Sequence, residues 1–504
     1  MKVLAADQIY TADKLTIQNE KISSLELMER AGFEFFKWLK NYISHPEKTI
    51  HIFCGKGNNG GDGLVVGRLL IEAGYNPQVY IVDYSNSATE DFSSNLNRFK
   101  AIAENQINPI KSENNFPNIG EKDLIIDALF GIGLNRSLEG LLKKLILFLN
   151  HCPALKISVD IPSGLFANAP IRDAEAIFNA DLVLTFQVPK LGFFLPESSQ
   201  FVKEFRVLDI GLDADFIAQA PSLATLVTKE KVQSLYLPRE RFGHKGTYGH
   251  TLIIGGSYGK IGAAVLSAAA AFRSGAGLVT ALTPKCGYAI VQTAIPEAMV
   301  LTDEENTHLT QMEFPLKPKA IAVGMGIGMH KETVVALKKL LKQSKIPLVI
   351  DADALNILSK NRDLLTWIPK NSILTPHPGE LERLIGSWEN DYDKIEKAKQ
   401  FSKDHKCILL VKGAYTMVIH SNEVYINTTG NPGMGTAGSG DVLSGVLAGL
   451  QSQGYSSLSA ALLGVYLHGL AGDLASEKLG LEAMMASDIV AHIADAYHEI
   501  TQML

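Results

Sequence analysis

The chain has 504 residues, 46% of them hydrophobic and 20% charged, and a formal net charge of −6. That length exceeds what one hydrophobic core usually serves, so two domains are expected, and the composition excludes a disordered chain. Net negative charge without a dense Lys/Arg run argues against a nucleic-acid footprint or an anionic-membrane patch, so an anionic ligand has to be held locally by backbone NH groups or a few basic side chains.

The opening "MKVLAADQIYTADKLT" lacks an apolar core followed by a cleavage pattern, so no secretory signal is expected. "SSLELMERAGFEFFKWL" then reads as an amphipathic helix opened by a serine cap. From about residue 49, short β-rich runs alternate with helical patterns through "TIHIFCG", "DGLVVGRLLIEAGY", "PQVYIVD", "KDLIIDALFG", "LKISVDIPSG", "ADLVLTF" and "EFRVLDIG". The alternation predicts a mostly parallel sheet covered by helices.

"GKGNNGGDG", residues 55–63, follows a predicted strand and opens a predicted helix, where glycines allow close backbone approach and free NH groups face an anion. Asp127 ends "DLIID" and Asp160 ends "KISVD", which puts both at the carboxyl edge of the sheet, where open α/β sheets bind ligands. The oxygen groups of Asn59, Asp127 and Ser163 are able to meet at one point with a single formal charge, a set suited to a weakly held monovalent cation.

Across residues 211–240 the text loosens, with scattered prolines and charge and no sustained sheet pattern, so a domain boundary is expected near residue 220. A second α/β series follows through "GHTLIIGGS", "GLVTALTP", "AIAVGMGIG", "PLVIDADAL", "NSILTPHPGE" and "CILLVKGAYTMVIH". The two series share no repeat period, so they read as two different α/β domains. The apolar stretch "IGAAVLSAAAAF" is too short to cross a bilayer. The four cysteines are far apart and form no CxxC, which reads as buried thiols in a reducing, cytoplasmic setting.

Near the C-terminus, the glycines from Gly433 to Gly440 precede the apolar helix "DVLSGVLAGL". They would expose backbone NH groups at a helix start, an anion hole for a phosphoryl group, with Asp441 as candidate base for a substrate hydroxyl. Lys412 follows the strand "CILLV" and is suited to a nucleotide phosphate or to holding its loop, and His377 stands between two prolines after another strand. "GGSYGKIGAA" and "GMGIG" add glycine-rich turns, and "VIDADALN" adds Asp351 and Asp353.

"SSLELMERAG", "GNNGGDGLVVGRLL", "DALFGIGLNR" and "VDIPSG" resemble the NAD(P)HX epimerase domain of bifunctional NAD(P)H-hydrate repair enzymes, over most of residues 1–215. The resemblance implies a Rossmann-like α/β domain over residues 1–218. By it, Asn58, Asn59, Gly60, Gly61 and Asp62 with Gly131, Ile132, Gly133, Leu134, Asn135, Arg136, Ser137 and Asp160 would line the hydrate site. Asn59, Asp127 and Ser163 would bind potassium, and Asp160 is the expected catalytic group. It would assist departure and return of the hydroxyl beside the ring nitrogen, or proton transfer during ring opening.

"HKGTYGHTLIIGGS", "GAAVLSAAAAFRSGAGLVT", "DADALN", "LTPHPGE", "VKGAYT" and "GNPGMGTAGSGDVLSG" resemble the ADP- or ATP-dependent NAD(P)HX dehydratase domain of the ribokinase-like superfamily, implying such a domain over residues 225–504. By position, Lys412, Gly413, Ala414, Tyr415, Thr416 and Gly440 would hold the adenine nucleotide. Ala263, Gly326 or Gly328, His377 and Asp441 would contact the hydrate, with Mg²⁺ at the phosphoryl group. Ser439 stands where related kinases often have threonine. The epimerase-first order resembles prokaryotic members and favours ADP as donor, with ATP as the other choice. A homo-oligomer is expected. The competing readings are a kinase of a small hydroxylated metabolite and a first domain that binds without catalysis.

Overall fold

The computed structural model describes residues 1–43, 48–85 and 87–502. The chain divides into two compact units, Met1–Ala224 with Asn390–Tyr392, and Thr225–Glu389 with Asp393–Leu504.

The first unit contains β1 (Lys2–Val3), β2 (Ile50–Cys54), β3 (Pro77–Val82), β4 (Ile107–Ile110), β5 (Leu124–Ala128), β6 (Leu155–Val159), β7 (Ala180–Phe186) and β8 (Val202–Leu208). Seven of these form a sheet in the order β4-β3-β2-β5-β6-β7-β8, every pairing parallel. β2 and β5 are buried at every residue, as strands covered on both faces by helices must be. The helix Ser24–Tyr42 starts at Ser23, whose hydroxyl accepts from Glu26 N while Glu26 Oε2 accepts from Ser23 N. This reciprocal cap satisfies two donors that the first turn leaves open. Leu27, Ala31, Phe35 and Leu39 recur at helical spacing and are buried, the last two joining the core beneath the sheet.

The second unit contains β9 (Ala224–Val227), β10 (His250–Ile254), β11 (Leu278–Thr283), β12 (Met299–Thr302), β13 (Ala320–Val323), β14 (Leu348–Ile350), β15 (Ile373–Leu374), β16 (Ile408–Val411), β17 (Met417–His420) and β18 (Glu423–Asn427). Their order is β9-β18-β17-β16-β15-β14-β13-β10-β11-β12, parallel from β16 through β12 and antiparallel across β16-β17-β18. The loosely patterned stretch 211–240 thus holds a strand, because four residues paired to β18 suffice where no alternation is long enough to notice.

The helix Ser439–Ser452 crosses Ile261–Arg273 so closely that a Cβ on Gly445 would stand 2.1 Å from the Ser267 carbonyl oxygen. The helix Ser457–Leu479 is long and apolar enough to cross a membrane by length and composition, but 72% of its apolar window is buried in the protein. All four cysteines are unpaired; Cys54, Cys152 and Cys407 are buried and Cys286 is partly so.

Candidate active sites

Each sheet reverses its strand order once, and such a reversal opens a crevice at the carboxyl ends of the two strands concerned. In the first unit the reversal lies between β2 and β5. The loops after these strands line a cavity of about 510 Å³. Asn58, Asn59, Asp62, Gly131, Ile132, Gly133, Leu134, Asn135, Arg136 and Asp160 all face it.

Gly60, Gly61, Ser137, Asp127 and Ser163 are not among the lining residues. The two glycines have another reason to be there. A Cβ on Gly60 would stand 1.9 Å from the Gly55 carbonyl oxygen, and one on Gly61 would stand 2.6 Å from Met28 Sδ. They let the loop fold onto itself and the helix Asn58–Glu72 pack.

Asp127 and Ser163 are joined beneath the cavity. Asp127 accepts from Ser163 Oγ (2.6 Å), Ser163 N (2.8 Å) and Ser158 Oγ (2.9 Å). Burial raises the Asp127 pKa, these bonds oppose the rise, and among the described residues no basic side chain contributes. Asn59 is buried, with Oδ1 3.4 Å from where a Cβ on Gly131 would sit and with Nδ2 lacking a partner. A buried carboxylate without an organic counter-ion, set among neutral hydroxyl oxygens, fits a hard monovalent cation.

Asp160 follows β6 directly and takes a left-handed backbone conformation, φ 65°. Its Oδ1 accepts from Lys190 Nζ (2.5 Å), Phe186 N (2.9 Å) and Thr185 Oγ1 (3.1 Å). Lys190 is fully buried and also donates to Thr185 Oγ1 (2.7 Å). Nothing local in the sequence marks Lys190, which reaches Asp160 across thirty residues.

Two further groups come from the helix Ala6–Glu20, where Tyr10 and Asp13 line the cavity. The buried stripe Ile9, Ala12 and Thr16 is the signal that could have marked this helix as packed. Burial first, and then Asp160, push the Asp13 pKa up to about 6, with Lys190 opposing. Burial, Asp160 and Asp13 hold the Asp62 pKa well above the usual carboxylate range. The cavity therefore combines a paired carboxylate with two carboxyls that keep their protons to higher pH, an arrangement able to take up and deliver protons.

In the second unit the order reverses between β10 and β13, so the loops after these strands, Gly255–Lys260 and Gly324–Gly328, face each other. Gly326 and Gly328 have φ of 66° and 75°, and a Cβ on Gly326 would lie 3.3 Å from Ala263 Cβ. Gly328 N donates to Asp353 Oδ2 at 2.8 Å.

Gly438, φ 91°, precedes the helix Ser439–Ser452, and Asp441 lies in its first turn. The Asp441 carbonyl accepts from Ser267 Oγ at 2.8 Å. Burial and Asp351 push the Asp441 pKa up to about 6, with Lys412 opposing and Asp353 reinforcing. Lys412 donates to Asp351 Oδ1 (2.9 Å) and lies 3.9 Å from Glu380 Oε2; Ser444 Oγ donates to Asp351 Oδ2 (2.8 Å). A Cβ on Gly440 would sit 3.3 Å from Lys412 Nζ, so a side chain there would crowd the lysine.

His377 caps the helix Pro378–Ile385, its Nδ1 accepting from Gly379 N and its own NH donating to Glu380 Oε2. Glu380 was missed although its spacing from His377 is that of a capping box. Gly413, Ala414, Tyr415 and Thr416 form the turn between β16 and β17, where Thr416 Oγ1 donates to the Gly413 carbonyl.

Residues 24–192 match a family described as YjeF-related protein N-terminus, and residues 251–495 match one described as NAD(P)H-hydrate dehydratase. A bifunctional NAD(P)H-hydrate repair enzyme from Moorella thermoacetica is 36% identical over 97% of this chain and 95% of its own length. One from Coxiella burnetii is 34% identical over 96% and 97%. The structure of a ribokinase-like superfamily protein from Enterococcus faecalis V583 is 26% identical, covers 56% of this chain and 98% of its own, and superposes with a TM-score of 0.50.

Proposed function

The chain belongs to the bifunctional NAD(P)H-hydrate repair enzyme family, and from that membership we propose that its first unit interconverts the R and S forms of NAD(P)HX while its second dehydrates the S form to NAD(P)H using an adenine nucleotide. The observation that carries the reading is the presence, in one chain, of two carboxylates in separate sites, one lining the cavity of the first unit and one in the first turn of a helix of the second. Asp160 is bonded to Lys190 in the first unit, and Asp441 stands at a glycine-rich helix start in the second.

In the epimerase reaction the substrate's hydroxylated carbon adjoins a ring nitrogen, so its C–O bond breaks and re-forms once a proton is delivered to the departing oxygen or removed from it. Asp160, fixed by Lys190, Thr185 and Phe186, would act on that centre, and Asp13 and Asp62, which line the same cavity, would supply protons. A potassium ion held by Asn59, Asp127 and Ser163 would supply positive charge beneath the Gly131 loop.

In the dehydratase reaction Asp441 removes the hydrate's hydroxyl proton as that oxygen attacks the terminal phosphorus of the nucleotide. The helix NH groups after Gly438 would be donors to the transferring phosphoryl group. Phosphate then leaves with the C–O bond, expelled by the ring nitrogen's lone pair, and loss of a neighbouring proton restores the dihydronicotinamide. Asp351, Asp353 and Glu380 bring more negative charge than Lys412 balances, a setting into which Mg²⁺ fits as the charge-neutralising partner of the nucleotide. Lys412 through Thr416 and Gly440 are the nucleotide's assigned contacts, and Ala263, Gly326, Gly328 and His377 those of the hydrate. ADP is the proposed donor, and a homo-oligomer the proposed state.

The test is absorbance of the reduced nicotinamide during incubation of mixed R and S hydrate with Mg²⁺, K⁺ and either ADP or ATP. Recovery beyond the S fraction is expected. A stable phosphorylated product without recovery would instead favour a small-metabolite kinase.

A further inference from the structure

Outside both sites, three potential ligands meet at the N-terminus of the helix Lys331–Gln343: His308, His330 and Glu332, whose nearest ligand atoms all lie within 4.8 Å of one another. His308 Nε2 is 2.9 Å from Glu332 Oε2, His330 Nδ1 is 3.5 Å from the same oxygen, and the two ring centroids are 3.8 Å apart.

The hydrogen bonds around His308 say what this contact requires. Thr307 Oγ1 donates to Glu305 Oε1 (3.1 Å), which uses its proton, so at 3.0 Å from His308 Nδ1 the hydroxyl accepts. Nδ1 therefore carries hydrogen, and in the neutral ring Nε2 presents its lone pair to a carboxylate oxygen. Two lone pairs at that distance repel unless a proton or a metal ion lies between them. One divalent ion placed among them would satisfy both ring nitrogens and the carboxylate together.

Ligand atoms bound tetrahedrally at zinc distances are separated by roughly 3.3 Å, between the 2.9 and 3.5 Å that separate Glu332 Oε2 from the two ring nitrogens. The ring orientation enforced by Thr307 is the outer-shell feature that metal-bound histidines commonly show. The supporting loop is built beforehand: Asp303, buried, accepts from the backbone NH groups of Glu305, Thr310 and Gln311.

We propose that His308, His330 and Glu332 form a binding site for a divalent transition-metal ion of the zinc class, held by two nitrogens and one oxygen with a remaining position open to water. Occupancy would brace the second unit's crevice. Tyr258 N donates to the Thr307 carbonyl (2.7 Å), tying this loop to Gly255–Lys260, and His330 follows Gly328 by two residues. The site does not depend on the hydrate-repair reading.

The test is a titration of the chelator-stripped full chain with Co²⁺, without nucleotide or Mg²⁺, followed by visible d–d absorption and then displacement by Zn²⁺. One saturable equivalent is expected, bound at least tenfold more weakly by His308→Ala, His330→Ala and Glu332→Gln. No saturable signal, or unchanged affinity in the three variants, overturns the proposal. A second readout needs no variant: Zn²⁺ should slow diethyl pyrocarbonate modification of His308 in the wild-type chain at least tenfold, and equal rates with and without Zn²⁺ overturn it too.

Discussion

Asp441 carries a proton to unusually high pH because burial and the neighbouring Asp351 both disfavour its charge. A base works only when deprotonated, so kcat/KM for dehydration should be flat above about pH 6 and fall about tenfold per unit below it. Asp441→Asn should remove that limb and lower kcat by roughly 10²–10⁴, a common range for losing such a group; a variant near wild-type rate would exclude Asp441 as the base. Lys190 offers a stability readout. Lys190→Met leaves the Asp160 carboxylate buried beside Thr185 without its counter-ion, which should cost about 3 kcal/mol in urea unfolding. Adding Asp160→Asn to that variant should restore part of the loss, and strict additivity would show that the pair is not coupled. Asp127, Asp160, His377, Lys412 and Asp441 were visible in the sequence because each sits at or beside the end of a strand or at a helix start. Lys190 and Ser444 were not, because their partners lie 30 and 93 residues away, and only the folded sheet brings them within reach.

At the scale of elements, the crossing of Ser439–Ser452 over Ile261–Arg273 fixes the position of Asp441. The contact is made through Gly445 and Gly449, and Ser267 Oγ bonds the Asp441 carbonyl across it. Gly445→Ala has no room, so it should destabilise the second unit by about 1–3 kcal/mol and slow dehydration while leaving epimerisation unchanged. Calorimetry and the two separate assays read this directly, and an equal loss of both activities would refute it. The parallel series in both units was legible, since buried strands alternating with helices leave a plain pattern. The antiparallel hairpin β17-β18 and the strand β9 were not resolved, because runs of four or five residues carry too little alternation. The close packing that Gly60 and Gly61 also permit, against the Gly55 carbonyl and Met28, is a requirement that composition does not encode.

At the scale of the molecule, each site is assembled within one unit, the cavity at residues below 213 and the Asp441 cluster beyond residue 250. Free diffusion of the epimer between the two sites is the expectation. An Asp160→Asn chain mixed with an Asp441→Asn chain should therefore restore complete recovery of mixed hydrate at high enzyme concentration, where neither alone does. Failure of the mixture, with each remaining single activity intact, would mean that transfer requires both sites in one chain.

The four thiols give this chain a further property. Burial raises the pKa of every one, Cys407 to about 12, and none lies among the groups assigned to either reaction. Thiolates, not thiols, are what peroxides and alkylating metabolites attack quickly. The chain's four thiols are therefore expected to be poor targets for such agents while it is folded.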